Sequence, residues 1–192
     1  MNKKNSLIAA FVLLAFVQLY VPAKMILNQE DVLNKGREFK FKTAPIDPND
    51  PFRGKYITLR FDANEVVVAN TAEWTYNESI FVAISEDAEG YVQLDSLMKK
   101  APAGTHNYVK ARIDYIRGDD SYEIGIEFPF ERYYMEESKA YDAELAYAES
   151  QVDSTQVAYA LVAIKDGEAA LKDVLINEES IREIVERRLK EK

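Results

Sequence analysis

The sequence contains no cysteine and a single histidine, His106, and these two shortages exclude many catalytic and metal-binding chemistries. Disulfide frameworks, cysteine nucleophiles, iron–sulfur clusters and zinc sites built from two or more histidines or cysteines are all excluded. A serine triad would have to use His106. Basic residues are also in deficit, because 24 lysines and arginines stand against 33 acids, for a formal net charge of -9. A chain without a basic excess is poorly suited to bind phosphate backbones, so we expect no nucleic-acid partner.

Glycine and proline are scarce as well, with 7 and 6 residues among 192, whereas 47% of the residues are apolar. This composition excludes collagen-like, low-complexity and fully disordered proteins. If a targeting segment is set aside, about 150 residues remain, which is enough for one hydrophobic core. The sequence therefore predicts a folded domain.

A run of residues without charge, 6–23, follows Lys3 and Lys4. As an α-helix this run would be about 27 Å long, close to the hydrocarbon thickness of a bilayer. We predict an uncleaved signal anchor over residues 6–24, which contacts the lipid bilayer. A cleaved signal peptide is the alternative, although the end of the run is a poor cleavage site. Since positive flanks stay in the cytoplasm, residues 1–5 are expected to be cytoplasmic and the rest of the chain extracytoplasmic.

The sequence after the anchor predicts a juxtamembrane helix over residues 25–37, stopped by Gly36, and then a β-rich domain over residues 38–177. Strands are expected at 38–42, 55–61, 80–84, 108–117, 122–128, 157–165 and 168–176. Asp166-Gly167 is the strongest hairpin signal between two of them. A second hairpin is expected around 118–121, with Tyr115 on its apolar face.

Two helices are expected within and after these strands. The first covers residues 138–151, and its apolar side chains recur at i, i+4 and i+7. These side chains are Tyr141, Leu145 and Ala148. The second is an amphipathic C-terminal helix over residues 178–192, with Asn177 as its expected N-cap. The predicted fold class is therefore α+β and β-rich, with a transmembrane helix followed by an antiparallel-sheet domain.

A short internal similarity suggests a duplication. The tripeptide Val82-Ala83-Ile84 recurs as Val162-Ala163-Ile164, and the Tyr56 strand has a counterpart around Tyr134 at a similar offset. Two related β-rich halves would explain this pattern, and chance is the alternative.

The most constrained segment is a proline-rich loop over residues 45–54. Three prolines in seven residues restrict its backbone, and Asp47 and Asp50 each precede a proline. We expect a stiff loop locked by a pair between Arg53 and one of these aspartates. A hard cation such as calcium is the alternative, but the spacing is not that of a calcium loop, so no metal or other cofactor is assigned.

The segment from Asp47 to Phe61, with Gly54-Lys55-Tyr56-Ile57-Thr58-Leu59-Arg60-Phe61 at its end, resembles the signature of the GDYXXLXY family of bacterial, membrane-anchored proteins. The similarity continues through the aromatic segment 130–137 and Glu144 to the closing hairpin near residue 167. The positions that it marks as family motif or structural residues are Asp47, Pro48, Asp50, Pro51, Arg53, Gly54, Tyr56, Leu59, Arg132, Tyr133, Tyr134, Glu137 and Glu144.

Two positions depart from the motif after which the family is named. Lys55 stands where the family has an aspartate, and Phe61 stands where it has a tyrosine. An ammonium cannot replace a carboxylate in proton chemistry, so catalysis through position 55 is not expected. The resemblance brings no established activity. It implies a single-pass protein of the bacterial inner membrane with a periplasmic domain, and a multi-pass membrane protein as its partner.

Three candidate functions are compatible with these features of the sequence. The first is an extracytoplasmic interaction module, an accessory subunit of a multi-pass membrane protein. The second is a ligand- or glycan-binding domain that uses its many tyrosines, 12 in all. The third is an envelope hydrolase that uses two of five carboxylates. These are Asp47, Asp50, Glu136, Glu137 and Glu144. We favour a non-enzymatic role and assign no catalytic residue.

Overall fold

The computed structural model describes residues 3–44, 56–104, 107–118, 122–152 and 155–191. His106 and the predicted proline-rich loop lie outside these ranges, and with them the predicted pair or cation site of that loop. Six of the marked positions therefore lie outside the described residues: Asp47, Pro48, Asp50, Pro51, Arg53 and Gly54.

The apolar run forms part of one long helix, α1 (Lys3–Lys35), which contains Pro22. The predicted anchor and the predicted juxtamembrane helix are thus one continuous element. The segment Ala10–Lys35 is long and apolar enough to cross a membrane. The large apolar side chains described between Leu7 and Leu27 are exposed.

The strands and remaining helices follow in chain order. They are β1 (Arg37–Lys42), β2 (Tyr56–Thr58), β3 (Glu65–Val67), β4 (Ser79–Glu86), β5 (Val92–Met98), β6 (Tyr108–Arg117), β7 (Glu123–Glu127), β8 (Arg132–Tyr134), α2 (Glu137–Val152), β9 (Ala158–Lys165), β10 (Glu168–Ile176), β11 (Glu179–Ser180) and α3 (Ile181–Lys190).

Within the described residues, the strands form three sheets in which all neighbouring strands are antiparallel. One sheet has the order β1-β9-β10-β11, a second has the order β3-β7-β6-β4-β5, and β2 pairs with β8 in a two-stranded ribbon. This arrangement confirms the predicted α+β, β-rich fold class with an N-terminal apolar helix and a C-terminal helix.

One hydrophobic core joins the three sheets to α2 and α3. Its aromatic centre consists of four phenylalanines whose ring centroids lie 4.9 to 5.8 Å apart. These are Phe41, Phe61, Phe128 and Phe130. Most of these pairs are edge-to-face or tilted, which are favoured geometries for aromatic rings.

The Asp166-Gly167 hairpin is confirmed. Lys165 pairs with Glu168, and the two turn residues have φ angles of 52° and 83°. Both angles are left-handed, as a two-residue type I′ turn requires, and Gly adopts them without strain. The turn joins β9 to β10 in the centre of the four-stranded sheet.

The hairpin between β6 and β7 is confirmed as a strand pair, but Tyr115 is not on the apolar face. The register shifts between Ile113 and Tyr115, which leaves Asp114 as the extra residue of a bulge. A bulge moves every following side chain to the other face of the sheet. Tyr115 is therefore half-buried on the outer face, and its hydroxyl donates to Glu65 at 2.6 Å.

The predicted apolar face of α2 is wrong. Tyr141 and Leu145 are 73% and 41% exposed, and Ala148 is exposed as well. The helix packs on the core through the opposite side. Its buried residues are Ala140, Asp142, Ala143, Ala146, Tyr147 and Ser150. Small side chains let the helix approach the strands closely, and this outweighs the larger area that the other face would bury.

The C-terminal helix begins at Ile181, three residues after its expected start, and Asn177 is not its N-cap. Ser180 caps the helix, because its side chain accepts a hydrogen bond from the amide of Arg182. Asn177 lies in the turn after β10 with a φ of 50°, and its side chain accepts from the amide of Val157. The short strand β11 (Glu179–Ser180) lies between Asn177 and the first residue of the helix, so the N-cap is also the last residue of that strand.

The two similar tripeptides lie in different sheets, Val82-Ala83-Ile84 in β4 and Val162-Ala163-Ile164 in β9. Each strand starts a hairpin that contains a bulge. The strands of Tyr56 and Tyr134 pair directly with each other. A duplication stays a prediction.

Candidate functional site

The ribbon of β2 and β8 brings together two family-like segments that are far apart in the sequence. Tyr56 pairs with Tyr134, Ile57 with Tyr133, and Thr58 with Arg132. Because side chains alternate across a strand, Ile57 and Tyr133 point into the core, where both are buried. Tyr56, Arg132 and Tyr134 belong to the outer face.

The inner face of the ribbon carries a hydrogen-bond network centred on Tyr133. Its hydroxyl donates to Asp173 of β10 at 2.8 Å and accepts from Nε of Arg182 of α3 at 2.6 Å. Burial, together with the bond to Asp173, raises the pKa of Tyr133 above its ordinary value. The phenol therefore stays protonated, and the network joins three elements rather than providing a base or nucleophile.

The outer face of the ribbon carries an exposed aromatic and cationic cluster, Tyr56–Arg132–Tyr134. The two tyrosine rings lie 5.4 Å apart, and the guanidinium of Arg132 lies 5.1 Å from the centre of the Tyr56 ring. The hydrogen bond with Tyr134 raises the pKa of Arg132 above its ordinary value, so the guanidinium stays charged. Tyr134 is 62% exposed. Such a cluster can stack on a flat ligand and pair with an anion.

Glu137 and Glu144 lie on α2, away from the buried side of the helix. Glu137 is exposed in the first turn of the helix. Glu144 is half-buried and is not on the side of the helix that carries the buried alanines. Neither belongs to the Tyr133 network. The marked positions therefore separate into a core group, an outer ribbon group and an α2 group.

A surface cavity of about 440 Å³ lies beside β6 and the β9–β10 turn. Its charged lining residues are Lys110, Arg112, Glu127 and Glu168, so charges of both signs are balanced there. Of the carboxylates named for a hydrolase, the three that the structure describes, Glu136, Glu137 and Glu144, do not line this cavity. Among the described residues, no group of three or more histidine and carboxylate side chains is placed to hold a metal ion.

The junction between α1 and the four-stranded sheet is a second feature of interest. In the last turn of α1, Asp31 pairs with Lys165 at the end of β9 and with Lys35 at 2.6 Å. Beside this pair, Val32 and Leu33 pack on Ala163 and Ala170 in a small cluster.

Gly36 connects α1 to β1 at a point where its backbone lies close to the backbones of Val32 and Ile164. Its amide donates to the carbonyl of Val32 at 2.8 Å. A Cβ atom at Gly36 would lie 2.5 Å from that carbonyl oxygen and 3.0 Å from the amide nitrogen of Ile164. The predicted stop is confirmed, and its physical reason is this close approach of two backbones.

The chain matches the model of a protein family. The family model described as GDYXXLXY protein matches residues 18–174, which is most of the chain. The chain belongs to the GDYXXLXY family. No curated protein and no solved structure matches it.

The described part of the GDYXXLXY motif, residues 56–61, contributes every second side chain to the core. Leu59 and Phe61 are 1% and 2% exposed, and the amide of Leu59 donates to the carbonyl of Glu131 at 2.8 Å. Phe61 packs among three other phenylalanines, where a tyrosine hydroxyl would need a buried partner. This explains why phenylalanine fits at a position that carries tyrosine in the family motif.

Sequence reasoning missed four residues of these features: Asp173, Arg182, Asp31 and Lys165. Asp173 carried a local signal, because it interrupts the apolar residues of β10 close to a bulge at Lys172. Arg182 is the second residue of α3 and follows the buried Ile181 directly, but its sequence position alone does not indicate a contact with Tyr133. Asp31 and Lys165 carried no such signal, since exposed charges are common in helices and at strand ends.

Proposed function

We propose that this GDYXXLXY protein is a membrane-anchored, extracytoplasmic interaction module that serves as an accessory subunit of a multi-pass membrane protein. Residues 6–24 span the bacterial inner membrane once, and residues 1–5 remain in the cytoplasm. The β-rich domain then lies on the periplasmic side.

The observation that carries this proposal is the junction between α1 and the sheet. A simple tether needs only a membrane span and a flexible linker. Here the helix runs without interruption from Lys3 to Lys35. Its end is held against the sheet by the packing of Val32 and Leu33 and by the pair of Asp31 with Lys165. A domain that is held at a set orientation to its span is suited to a partner held in the same membrane.

The charge distribution supports the same proposal. Lys3 and Lys4 precede the apolar run, and residues 25–192 carry about -12 in net charge. Positive flanks favour the cytoplasmic side. An acidic domain is repelled by anionic lipid, so its binding surface is better suited to a protein than to the bilayer.

Co-purification from membranes tests the partner. The full-length protein is extracted in a mild detergent, and the complex is analysed by size-exclusion chromatography and mass spectrometry. We expect a multi-pass membrane protein in stoichiometric amount. An unrelated single-pass protein, extracted in the same way, controls for adventitious capture. A monomer without a membrane partner would contradict the proposal.

The absence of native cysteine makes topology straightforward to measure. Single substitutions Asn5→Cys and Gln93→Cys give one thiol on each side of the apolar run. A membrane-impermeant maleimide added to spheroplasts should label Gln93→Cys at once and Asn5→Cys only after permeabilisation. The reverse pattern, or release of a shortened soluble chain, would exclude the proposed topology.

The Tyr56–Arg132–Tyr134 cluster favours glycan or ligand binding as a second candidate function. Oligomers of N-acetylglucosamine are a suitable probe, because aromatic rings stack on sugar faces. Tyr134→Ala should abolish binding, whereas Tyr76→Ala, at another tyrosine that is 71% exposed, should not. Tyr133→Ala is unsuitable because that ring is buried. Equal binding by all variants would reject this function.

A further inference from the structure

Helix α2 has two apolar sides, and only one of them is used by the fold. Residues on the outer side recur at i, i+4, i+7, i+8, i+11 and i+15, which places them along one stripe of the helix. This outer stripe consists of Glu137, Tyr141, Glu144, Leu145, Ala148 and Val152. Its apolar members are exposed, with Tyr141 at 73% and Val152 at 87%.

The outer stripe is not needed to hold α2 on the domain. The opposite side is buried through its alanines and Tyr147, and the flank of the helix is held by α3. Lys139 pairs with Glu186 at 3.2 Å, and Glu149 pairs with Arg188 at 2.6 Å. An apolar stripe of this spacing is the pattern by which one helix binds another.

The charges of the outer stripe limit what can cover it. Both of its charged members, Glu137 and Glu144, are acids, and the one lysine of α2 is turned towards α3. An anionic bilayer surface would be repelled. The midpoint of the outer stripe lies between Glu144 and Leu145, so in an antiparallel pair of two copies centred there the two Glu144 carboxylates would lie close together and repel each other. A basic and apolar segment is the complementary occupant.

We infer that the outer stripe of α2 is the docking surface for a helical segment of the membrane partner, one with an apolar face and adjacent lysine or arginine. This inference rests on the proposed interaction function, and it adds the surface and the chemistry of the contact. Tyr141, Leu145 and Ala148 provide the apolar anchors, and Glu144 provides the charge.

Site-specific cross-linking in membranes tests the surface. A benzophenone maleimide is attached to the single thiol of Ala148→Cys in the full-length protein and is activated by light. We expect an adduct with another polypeptide, and the cross-linked peptide should contain apolar residues with lysine or arginine. The same reagent on Gln93→Cys, in the exposed part of β5, should give no such adduct.

Charge reversal tests the chemistry. In Glu144→Lys, the amount of co-purified partner should fall at least about tenfold, because like charges then meet at the contact. Glu89→Lys makes the same change of charge in the exposed turn between β4 and β5 and should retain the partner. Tyr141→Ser removes an apolar anchor at a solvent-exposed position and should also reduce the amount of co-purified partner. It is the second variant in case Glu144→Lys does not fold. Circular dichroism shows whether each variant is folded.

Three results would overturn the inference. If Glu144→Lys and Tyr141→Ser retain the partner, this surface is wrong while the proposed function stands. A cross-link between two copies, or to an acidic segment, would reject the stated occupant. If the unaltered protein has no partner, the proposed function and this inference both fail.

Discussion

Asp31 of α1 and Lys165 of β9 form an ion pair although they are 134 residues apart in the sequence. The bond to Asp31 raises the pKa of Lys165 above its ordinary value. Asp31 also binds Lys35 within its own helix. One carboxylate therefore connects the end of the apolar helix to the end of β9, a central strand of the four-stranded sheet.

Replacement of Asp31 by asparagine should loosen this junction without unfolding the domain. The partners are partly exposed, so we expect little change in the free energy of unfolding. Amide hydrogen exchange in residues 28–36 should become several-fold faster. Lys35→Gln removes only the pair within the helix and is the matched control. Equal exchange in both variants would show that Lys165 does not fix the helix end.

Gly36→Ala should destabilise the protein through its backbone contacts. The added methyl group would meet the carbonyl of Val32 and the amide of Ile164, neither of which can rotate away. We expect a loss of about 1–3 kcal/mol in urea unfolding of the protein in detergent micelles.

The matched control for this prediction is Gly118→Ala. A Cβ atom there would have its nearest neighbour, Oγ1 of Thr71, at 3.5 Å, and this glycine does not have a left-handed φ. Its effect should stay within about 0.5 kcal/mol. Similar unfolding midpoints for the two variants would contradict the close approach at Gly36.

Tyr133→Phe and Tyr147→Phe should differ in their effect on stability, although both rings are buried to the same extent, at 3% exposure. Removal of the Tyr133 hydroxyl leaves Asp173 and Arg182 without their shared partner, and should cost about 1–3 kcal/mol.

The Tyr147 hydroxyl differs because it makes no hydrogen bond of good geometry among the described residues. The nearby Thr43 hydroxyl already donates to the carbonyl of Ala158. Phenylalanine at position 147 should therefore be neutral or stabilise by up to about 1 kcal/mol. Denaturant unfolding measures both variants, and a loss at Tyr147 as large as at Tyr133 would disprove this difference.

Alkaline pH should weaken the contact between Tyr115 and Glu65. The hydrogen bond to the Glu65 carboxylate raises the pKa of Tyr115 from 10.0 to about 12. Because the folded pKa is the higher one, the stabilisation is complete below pH 10.0 and is lost as the pH rises through about 12.

Glu65→Gln should lower the pKa of Tyr115 towards 10.0, since a neutral amide no longer opposes the phenolate. The difference in tyrosinate absorbance between each protein and its Tyr115→Phe counterpart isolates this one titration. An unchanged titration in Glu65→Gln would show that burial alone sets the pKa.

The parts of the fold that could be predicted are those with local causes. The alternation of Phe39 and Phe41 predicts β1, and Asp166-Gly167 predicts the β9–β10 turn, because both depend only on neighbouring residues. The alternation of Ile57, Leu59 and Phe61 with polar residues likewise predicts the core face of the family motif, and all three side chains are buried.

The errors arose where distant contacts decided between local alternatives. In α2, the apolar periodicity of Tyr141, Leu145 and Ala148 predicted the buried side, whereas packing against the sheets selected the opposite side with its smaller alanines. At Tyr115, one bulged residue reversed the alternation. Of the functional surfaces, the ribbon residues were marked from the sequence, but their division into a buried network and an outer cluster required the pairing of β2 with β8.

The uninterrupted course of α1 into the sheet has a mechanical consequence. Each residue of an α-helix contributes about 100° of rotation and about 1.5 Å of rise. The facing direction of the domain around the helix axis is therefore encoded by the number of residues between the apolar segment and Asp31. One inserted alanine after Leu27 would turn the domain by more than a quarter of a circle, whereas seven would nearly restore its direction at about 10 Å greater height. The length of the helix between the membrane and Asp31 therefore sets the rotational orientation of the domain about the helix axis.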